Sequence, residues 1–99
     1  MDSGLENAAV LVTGGAGGIG TAISLAFAAE GARVAVHHHS SEDQAIALAD
    51  RIGGVPVRGD LTRPDDVEAV FAATIDAFGG LDVCVANAGW YPSDDSAIW

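Results

Sequence analysis

Apolar residues recur along this chain in two alternating rhythms. Residues 8–12, Ala8-Ala9-Val10-Leu11-Val12, form a short unbroken apolar run, the pattern of a strand buried on both faces. A glycine cluster from Gly14 to Gly20 follows it. Between Thr21 and Glu30, Ile23, Phe27 and several alanines return at helical spacing until Gly31 closes the segment. Residues 33–37, Arg33-Val34-Ala35-Val36-His37, read as a second strand. Ser40 or Ser41 then suits an N-cap, with Glu42 and Asp43 in the first turn of a second helix. Ile46, Leu48, Ala49 and Ile52 continue it, and Gly53-Gly54 stop it. Residues 55–59 predict a third strand, and Thr62 suits the N-cap of a third helix opened by Arg63-Pro64-Asp65-Asp66. Val67, Val70, Phe71, Ile75 and Phe78 supply its single apolar face, and Gly79-Gly80 end it. Residues 81–86 predict a fourth strand, broken by Asn87-Ala88-Gly89. Residues 90–99 carry no clear period.

The order β-α-β-α-β-α-β with short loops implies an α/β fold with a parallel sheet and right-handed crossovers. A doubly wound sheet places these strands in the order 3-2-1-4. Strands 1 and 4 then meet at the switch point. The loops leaving them, at Gly14 and at Asn87, flank the crevice where such sheets bind ligands.

Composition narrows the choice. A chain of 99 residues, 49% of them hydrophobic, suits one small globular domain. Fourteen acidic residues against four arginines and no lysine give a formal charge of −10. That balance argues against a nucleic-acid surface or attraction to anionic membranes. It also excludes a catalytic ammonium group within these residues. The one cysteine, Cys84, forms no internal disulfide, which suits a reducing, cytoplasmic setting. The polar N-terminus lacks the pattern of a secretory signal, and no apolar run approaches the roughly 20 residues of a membrane helix.

Thr13-Gly14-Gly15-Ala16-Gly17-Gly18-Ile19-Gly20 is the most informative stretch. Small residues let backbone amides approach a pyrophosphate, and the following helix aims its positive end at the same anion. Two registers fit. Gly15, Gly17 and Gly20 satisfy G-x-G-x-x-G, whereas Gly14, Gly18 and Gly20 satisfy G-x-x-x-G-x-G. The position, after a buried strand and opening a helix, is the context a dinucleotide fingerprint requires.

Taken with Asp60-Leu61 after the third strand and Asn87-Ala88-Gly89 after the fourth, this stretch resembles the short-chain dehydrogenase/reductase family over roughly residues 7–92. The resemblance favours the register of Gly14, Gly18 and Gly20. It implies a Rossmann-like sheet binding NAD or NADP. The loop from Gly14 through Ala16, Gly17, Gly18 and Gly20 would hold the pyrophosphate, with Ile19 packing nearby. Asp60 would accept a hydrogen bond from the adenine amino group, and Leu61 would contribute its backbone. Asn87, Ala88 and Gly89 would line the crevice beside the ribose and brace strand 4 against strand 1. The family's common double asparagine is here Ala86-Asn87.

The end of strand 2 bears on the cofactor. A carboxylate there would favour NAD by bonding the ribose 2′-hydroxyl. The matching residue is His38, within His37-His38-His39-Ser40. His38, His39 and Ser40 suit a 2′-phosphate, which tilts the expectation toward NADP. A metal site is not expected from the three histidines. Only His37 and His39 share a strand face, and no cysteine or carboxylate completes a set. Cys84, inside an apolar strand, is expected to be a small buried hydrophobe. Trp90, Tyr91 and Trp99 suit either a substrate mouth or packing against further chain, and Asp94 and Asp95 a solvated loop.

The chemistry of that family uses a tyrosine with a lysine four residues on, an upstream serine and an asparagine on a later helix. Tyr91 is the only tyrosine, and Asp95 stands where the lysine would be. No residue here is therefore assigned a catalytic role. Residues 1–99 are expected to form a single, incomplete dinucleotide-binding domain, inactive by itself, whose catalytic half lies beyond Trp99. The intact protein is then expected to be an oxidoreductase acting on a small alcohol or ketone, as a homo-oligomer. The alternatives are a non-catalytic nucleotide-binding module and an extended-type epimerase or dehydratase. The glycine loop of the latter is satisfied by Gly14, Gly17 and Gly20.

Overall fold

Strands and helices alternate through residues 4–87, the portion that the structure, a computed structural model, describes. The elements are β1 (Ala9–Val12), α1 (Gly18–Ala29), β2 (Arg33–His38), α2 (Glu42–Ile52), β3 (Val55–Arg58), α3 (Pro64–Phe78) and β4 (Val83–Val85). The strands form one parallel sheet in the order β3-β2-β1-β4, as the alternation of periods predicts. β1 lies between β2 and β4, so all four of its residues are buried, and a continuous apolar run is what that position demands.

Side chains alternate across the sheet and split the core in two. Val10, Val12, Val34 and Val36 pack with Ala45, Leu48 and Ala49 of α2 and with Ile23, Leu25 and Phe27 of α1. Leu11, Ala35 and Val57 face the other way, against Val70, Phe71 and Phe78 of α3. Burying each such valine or leucine contributes roughly 1.5–3 kcal/mol. Arg33 fastens the second layer at its lower end. Its Nε donates to the Asn7 carbonyl at 3.0 Å, its Nη1 donates to the Phe78 carbonyl at 2.8 Å, and its guanidinium lies 5.2 Å over the Phe78 ring.

Several boundaries differ from the sequence expectation, each for a local reason. α1 begins at Gly18, inside the glycine cluster, because apolar spacing does not register a helical turn built from glycines. β2 extends to His38, which pairs in register with Arg58. Thr62 does not cap α3; Arg63 holds that position. The Thr62 N–H and hydroxyl instead donate to Asp60 Oδ1, at 2.9 and 2.6 Å. Asp82 precedes β4 rather than belonging to it. Its carboxylate accepts the Ala9 N–H at 2.8 Å while its own N–H donates to the Ala9 carbonyl at 2.8 Å. Cys84 is exposed, not buried, because β4 is an edge strand and α3 packs over β3 and β2 instead. Its neighbours still desolvate the thiol enough to raise its pKa, so it is no activated nucleophile.

Candidate functional site

The carboxyl ends of the strands present three loops side by side. The loop after β1 turns at Gly14, whose φ of 62° lies in the left-handed region that glycine tolerates. The Gly14 carbonyl accepts the Gly17 N–H at 3.2 Å and the Asn87 Nδ2 at 3.3 Å. Gly15 donates its N–H to the His37 carbonyl at 2.9 Å, and the Ser24 hydroxyl donates to the Gly15 carbonyl at 3.4 Å. Gly20 must be glycine because a Cβ there would lie 2.0 Å from the Gly14 carbonyl oxygen. Ala16 is half-buried and turned onto the core.

Gly17 and Gly18 behave differently. A Cβ at Gly17 would make only an ordinary contact, and one at Gly18 would meet nothing within 4 Å. The protein's own packing therefore does not require Gly18 to be bare. The N-terminus of α1 is also uncapped: Gly17 offers no side chain, and the first turn holds no acidic residue. The N–H groups of Gly18, Ile19 and Gly20 have no acceptor among the described residues. Three unsatisfied amides at a helix N-terminus, with open space at Gly18, fit a pyrophosphate. Ile19 stands beside them, an apolar side chain left 70% exposed.

The second loop continues β2. His37 is 3% exposed and uses both ring nitrogens. Nδ1 accepts the Gly14 N–H at 2.9 Å, and Nε2 contacts the Gly59 carbonyl at 2.8 Å. Burial lowers its pKa, the Gly59 carbonyl opposes that shift, and His38 and His39 add to it. His38 points to the opposite face and is also buried, and its Nδ1 has no hydrogen-bond partner among the described residues. Burial likewise lowers its pKa, against the pull of Glu42. A buried ring nitrogen without a partner at a strand end fits a polar group of a ligand. His39 and Ser40 are exposed, and His39 Nε2 lies 3.9 Å from Asp60 Oδ2.

The third loop follows β3. Asp60 donates its N–H to Asp66 Oδ2 at 2.9 Å. The two hydrogen bonds from Thr62 hold its carboxyl below the usual carboxylate range, with His39 and Arg63 adding to the effect. Oδ1 is thereby engaged, and Oδ2 lies toward His39. Leu61 is half-buried against the α3 layer, so its backbone is the part left to a ligand. A cavity of about 340 Å³ opens here between His39, Arg58, Gly59, Asp60, Arg63 and Asp66. Neither arginine makes a side-chain hydrogen bond or ion pair among the described residues.

β4 closes the arrangement. The Asn87 N–H donates to Thr13 Oγ1 at 2.8 Å, and that hydroxyl donates to the Val85 carbonyl at 3.1 Å. Asn87 therefore ties the end of β4 to the end of β1 and to the glycine turn. Ala88 and Gly89 lie outside the described residues, as do Trp90, Tyr91, Asp94, Asp95 and Trp99. The sequence places His37 and Arg58 in strands and assigns neither to the site. Strand alternation sets His37 opposite His38, and the order 3-2-1-4 sets the end of β3, with Arg58, beside the end of β2. Among the described residues, no three His, Cys, Asp or Glu side chains gather as a metal set, and no helix is long and apolar enough to cross a membrane.

A parallel sheet with a bare-amide glycine loop at its switch point defines a doubly wound α/β domain, the class that takes its ligands at that point. The chain belongs to the short-chain dehydrogenase family, whose profile matches residues 8–98. It is 45% identical over 95 residues to glucose 1-dehydrogenase of Gluconobacter oxydans, covering 87% of this chain and 35% of that protein. It is 35% identical over 106 residues to 3beta-hydroxysteroid dehydrogenase 1 of Eggerthella lenta, covering 99% of this chain and 41% of that protein. A short chain dehydrogenase from Burkholderia cenocepacia, solved in complex with NADP, matches with a TM-score of 0.85 at 35% identity, over 93% of this chain and 40% of that one. A dehydrogenase/reductase from Sinorhizobium meliloti matches with a TM-score of 0.84 at 34% identity, over 93% of this chain and 38% of that one. The chain thus spans 35–41% of the length of these relatives.

Proposed function

We propose that these residues form the cofactor-binding part of an oxidoreductase that moves hydride between a nicotinamide dinucleotide and an alcohol or carbonyl substrate. The unsatisfied amides of Gly18, Ile19 and Gly20 at the uncapped start of α1, with open space at Gly18, carry this reading. Those amides and the positive end of α1 hold the pyrophosphate. Asp60 offers Oδ2 to the adenine amino group, with the Leu61 backbone beside it. The buried His38 Nδ1 accepts from a ribose hydroxyl. We assign Asn87, Ala88 and Gly89 to the ribose side, and Ile19 to packing beside the pyrophosphate. When bound, the cofactor supplies or accepts the hydride.

NADP is the cofactor we favour over NAD. His39 and Arg58 line one cavity together with Asp60 and Asp66, Ser40 follows His39, and these donors suit a 2′-phosphate while no carboxylate occupies the end of β2 itself. The catalytic tyrosine and lysine we assign to chain outside these residues, which form one incomplete domain. The Gluconobacter and Eggerthella relatives are named for a sugar and a steroid, so we set the substrate class no finer than small alcohols and ketones. We further expect a homo-oligomer, without nucleic-acid or membrane partners. The exposed free thiol of Cys84 fits a cytoplasmic setting. The test is fluorescence titration of the intact protein, as expressed from its own gene, with NADPH and NADH. Saturable binding of both, tighter for NADPH, is expected; no binding of either overturns the reading.

A further inference from the structure

We infer that His37 is a positioning residue that locks the glycine turn at Gly14 and the loop entering Asp60 into one rigid frame for the dinucleotide. The inference rests on the cofactor reading above and adds to it a residue that touches no ligand.

The two contacts dictate the ring's proton. The Gly14 N–H can only donate, so Nδ1 must be an unprotonated acceptor. The Gly59 carbonyl can only accept, so Nε2 must carry the hydrogen. His37 is thus a neutral imidazole in one tautomer, buried where water does not substitute for either partner. Each partner is pinned from its other side as well. The Gly14 carbonyl accepts from Asn87, and the Gly59 N–H donates to the His38 carbonyl at 3.0 Å. A Cβ at Gly59 would come within 2.4 Å of Val70 Cγ2, so α3 seals the remaining side. Asp60 follows directly, its own N–H held by Asp66. The ring therefore sets the separation between the loop facing the pyrophosphate and the carboxylate facing the adenine. Without it, the site is competent only part of the time, and apparent affinity falls by that fraction.

Asparagine and glutamine divide the ring between them. An asparagine amide reaches the position of Nδ1 and restores an acceptor for Gly14. A glutamine amide reaches the position of Nε2 and restores a donor for Gly59. Leucine restores neither. NADPH titrations of the intact wild-type, His37→Leu, His37→Asn and His37→Gln proteins yield both a Kd and a site stoichiometry. His37→Leu is expected to raise the Kd about tenfold, a change of roughly 1.4 kcal/mol, with stoichiometry unchanged. His37→Asn and His37→Gln should each recover part of that loss. A lowered stoichiometry with unchanged Kd would mean a purely structural role and overturns the inference. So does an unchanged Kd in His37→Leu while wild-type binds. If wild-type binds no dinucleotide, the cofactor reading fails and takes this inference with it. Should His37→Leu not fold, 15N NMR of the wild-type ring decides: a hydrogen on Nε2 alone upholds the frame, and one on Nδ1 overturns it.

Discussion

Asn87 and Thr13 join the ends of two neighbouring strands through one hydroxyl. The Asn87 N–H donates to Thr13 Oγ1 at 2.8 Å, and the same oxygen passes its own hydrogen to the Val85 carbonyl at 3.1 Å. Thr13 is 7% exposed, so a valine there would keep the shape and leave the Asn87 N–H with fewer partners. Thr13→Val should lower unfolding stability by about 1–3 kcal/mol. Denaturant unfolding of the intact protein measures this, and an unchanged midpoint would show that the link contributes nothing.

The two ends of the glycine loop should respond oppositely to the same added methyl group. Gly20→Ala drives a Cβ against the Gly14 carbonyl, so thermal stability should fall along with cofactor binding. Gly18→Ala meets no protein atom within 4 Å and gains up to about 1 kcal/mol of helix propensity. Its Tm should hold or rise while NADPH binding weakens. Parallel melting curves and titrations separate the two; equal loss of stability in both variants would remove the argument that Gly18 is bare for a ligand.

Arg58 should discriminate between the two dinucleotides. A guanidinium bonded to a phosphate is worth roughly 1.5–3 kcal/mol. Arg58→Gln should therefore weaken NADPH binding about tenfold or more, leaving NADH within about twofold. A similar loss for both cofactors would instead assign Arg58 to the adenine pocket.

Acid should loosen the fold through its buried histidines. Burial holds the pKa values of His37 and His38 below the ordinary value near 6.5, so the folded state prefers them neutral. The unfolded chain therefore takes up protons first as pH drops. Stability is complete above about pH 6.5 and declines as pH falls from there toward the depressed folded values. Protonating His37 would also set a hydrogen on Nδ1 against the Gly14 N–H. Melting temperature measured between about pH 8 and pH 5 should drop on the acid side, less steeply in His37→Asn. A flat profile would contradict the neutral-imidazole assignment.

At the opposite end of the sheet, Asp82 and Ala9 exchange a side-chain and a main-chain hydrogen bond, both 2.8 Å. This pair sets the register of β4 on β1 before the strand ladder begins. Asp82→Ala should cost about 1–3 kcal/mol, because the buried Ala9 N–H loses its partner. Amide hydrogen exchange at Ala9 checks it directly, and protection equal to wild-type would count against the role.

The sequence by itself determined the order of elements, the parallel sheet and the glycine loop at its switch point. Each is a local matter: apolar period, glycine content and the position of a loop between strand and helix. The unbroken run at Val10-Leu11-Val12 can be buried on both faces only in a central strand, and there it lies. Tertiary structure decided the division of labour within each motif. Adjacent histidines look alike in a row of letters. Their strand face and their neighbours make His37 a clamp, leave the buried His38 Nδ1 without a partner among the described residues, and set the exposed His39 near Asp60. Gly18 and Gly20 likewise differ only in what lies within 4 Å of each. Such assignments depend on atoms brought close from distant parts of the chain, His37 to Gly59, Asn87 to Thr13 and Asp82 to Ala9. Periodicity along one strand carries no record of them.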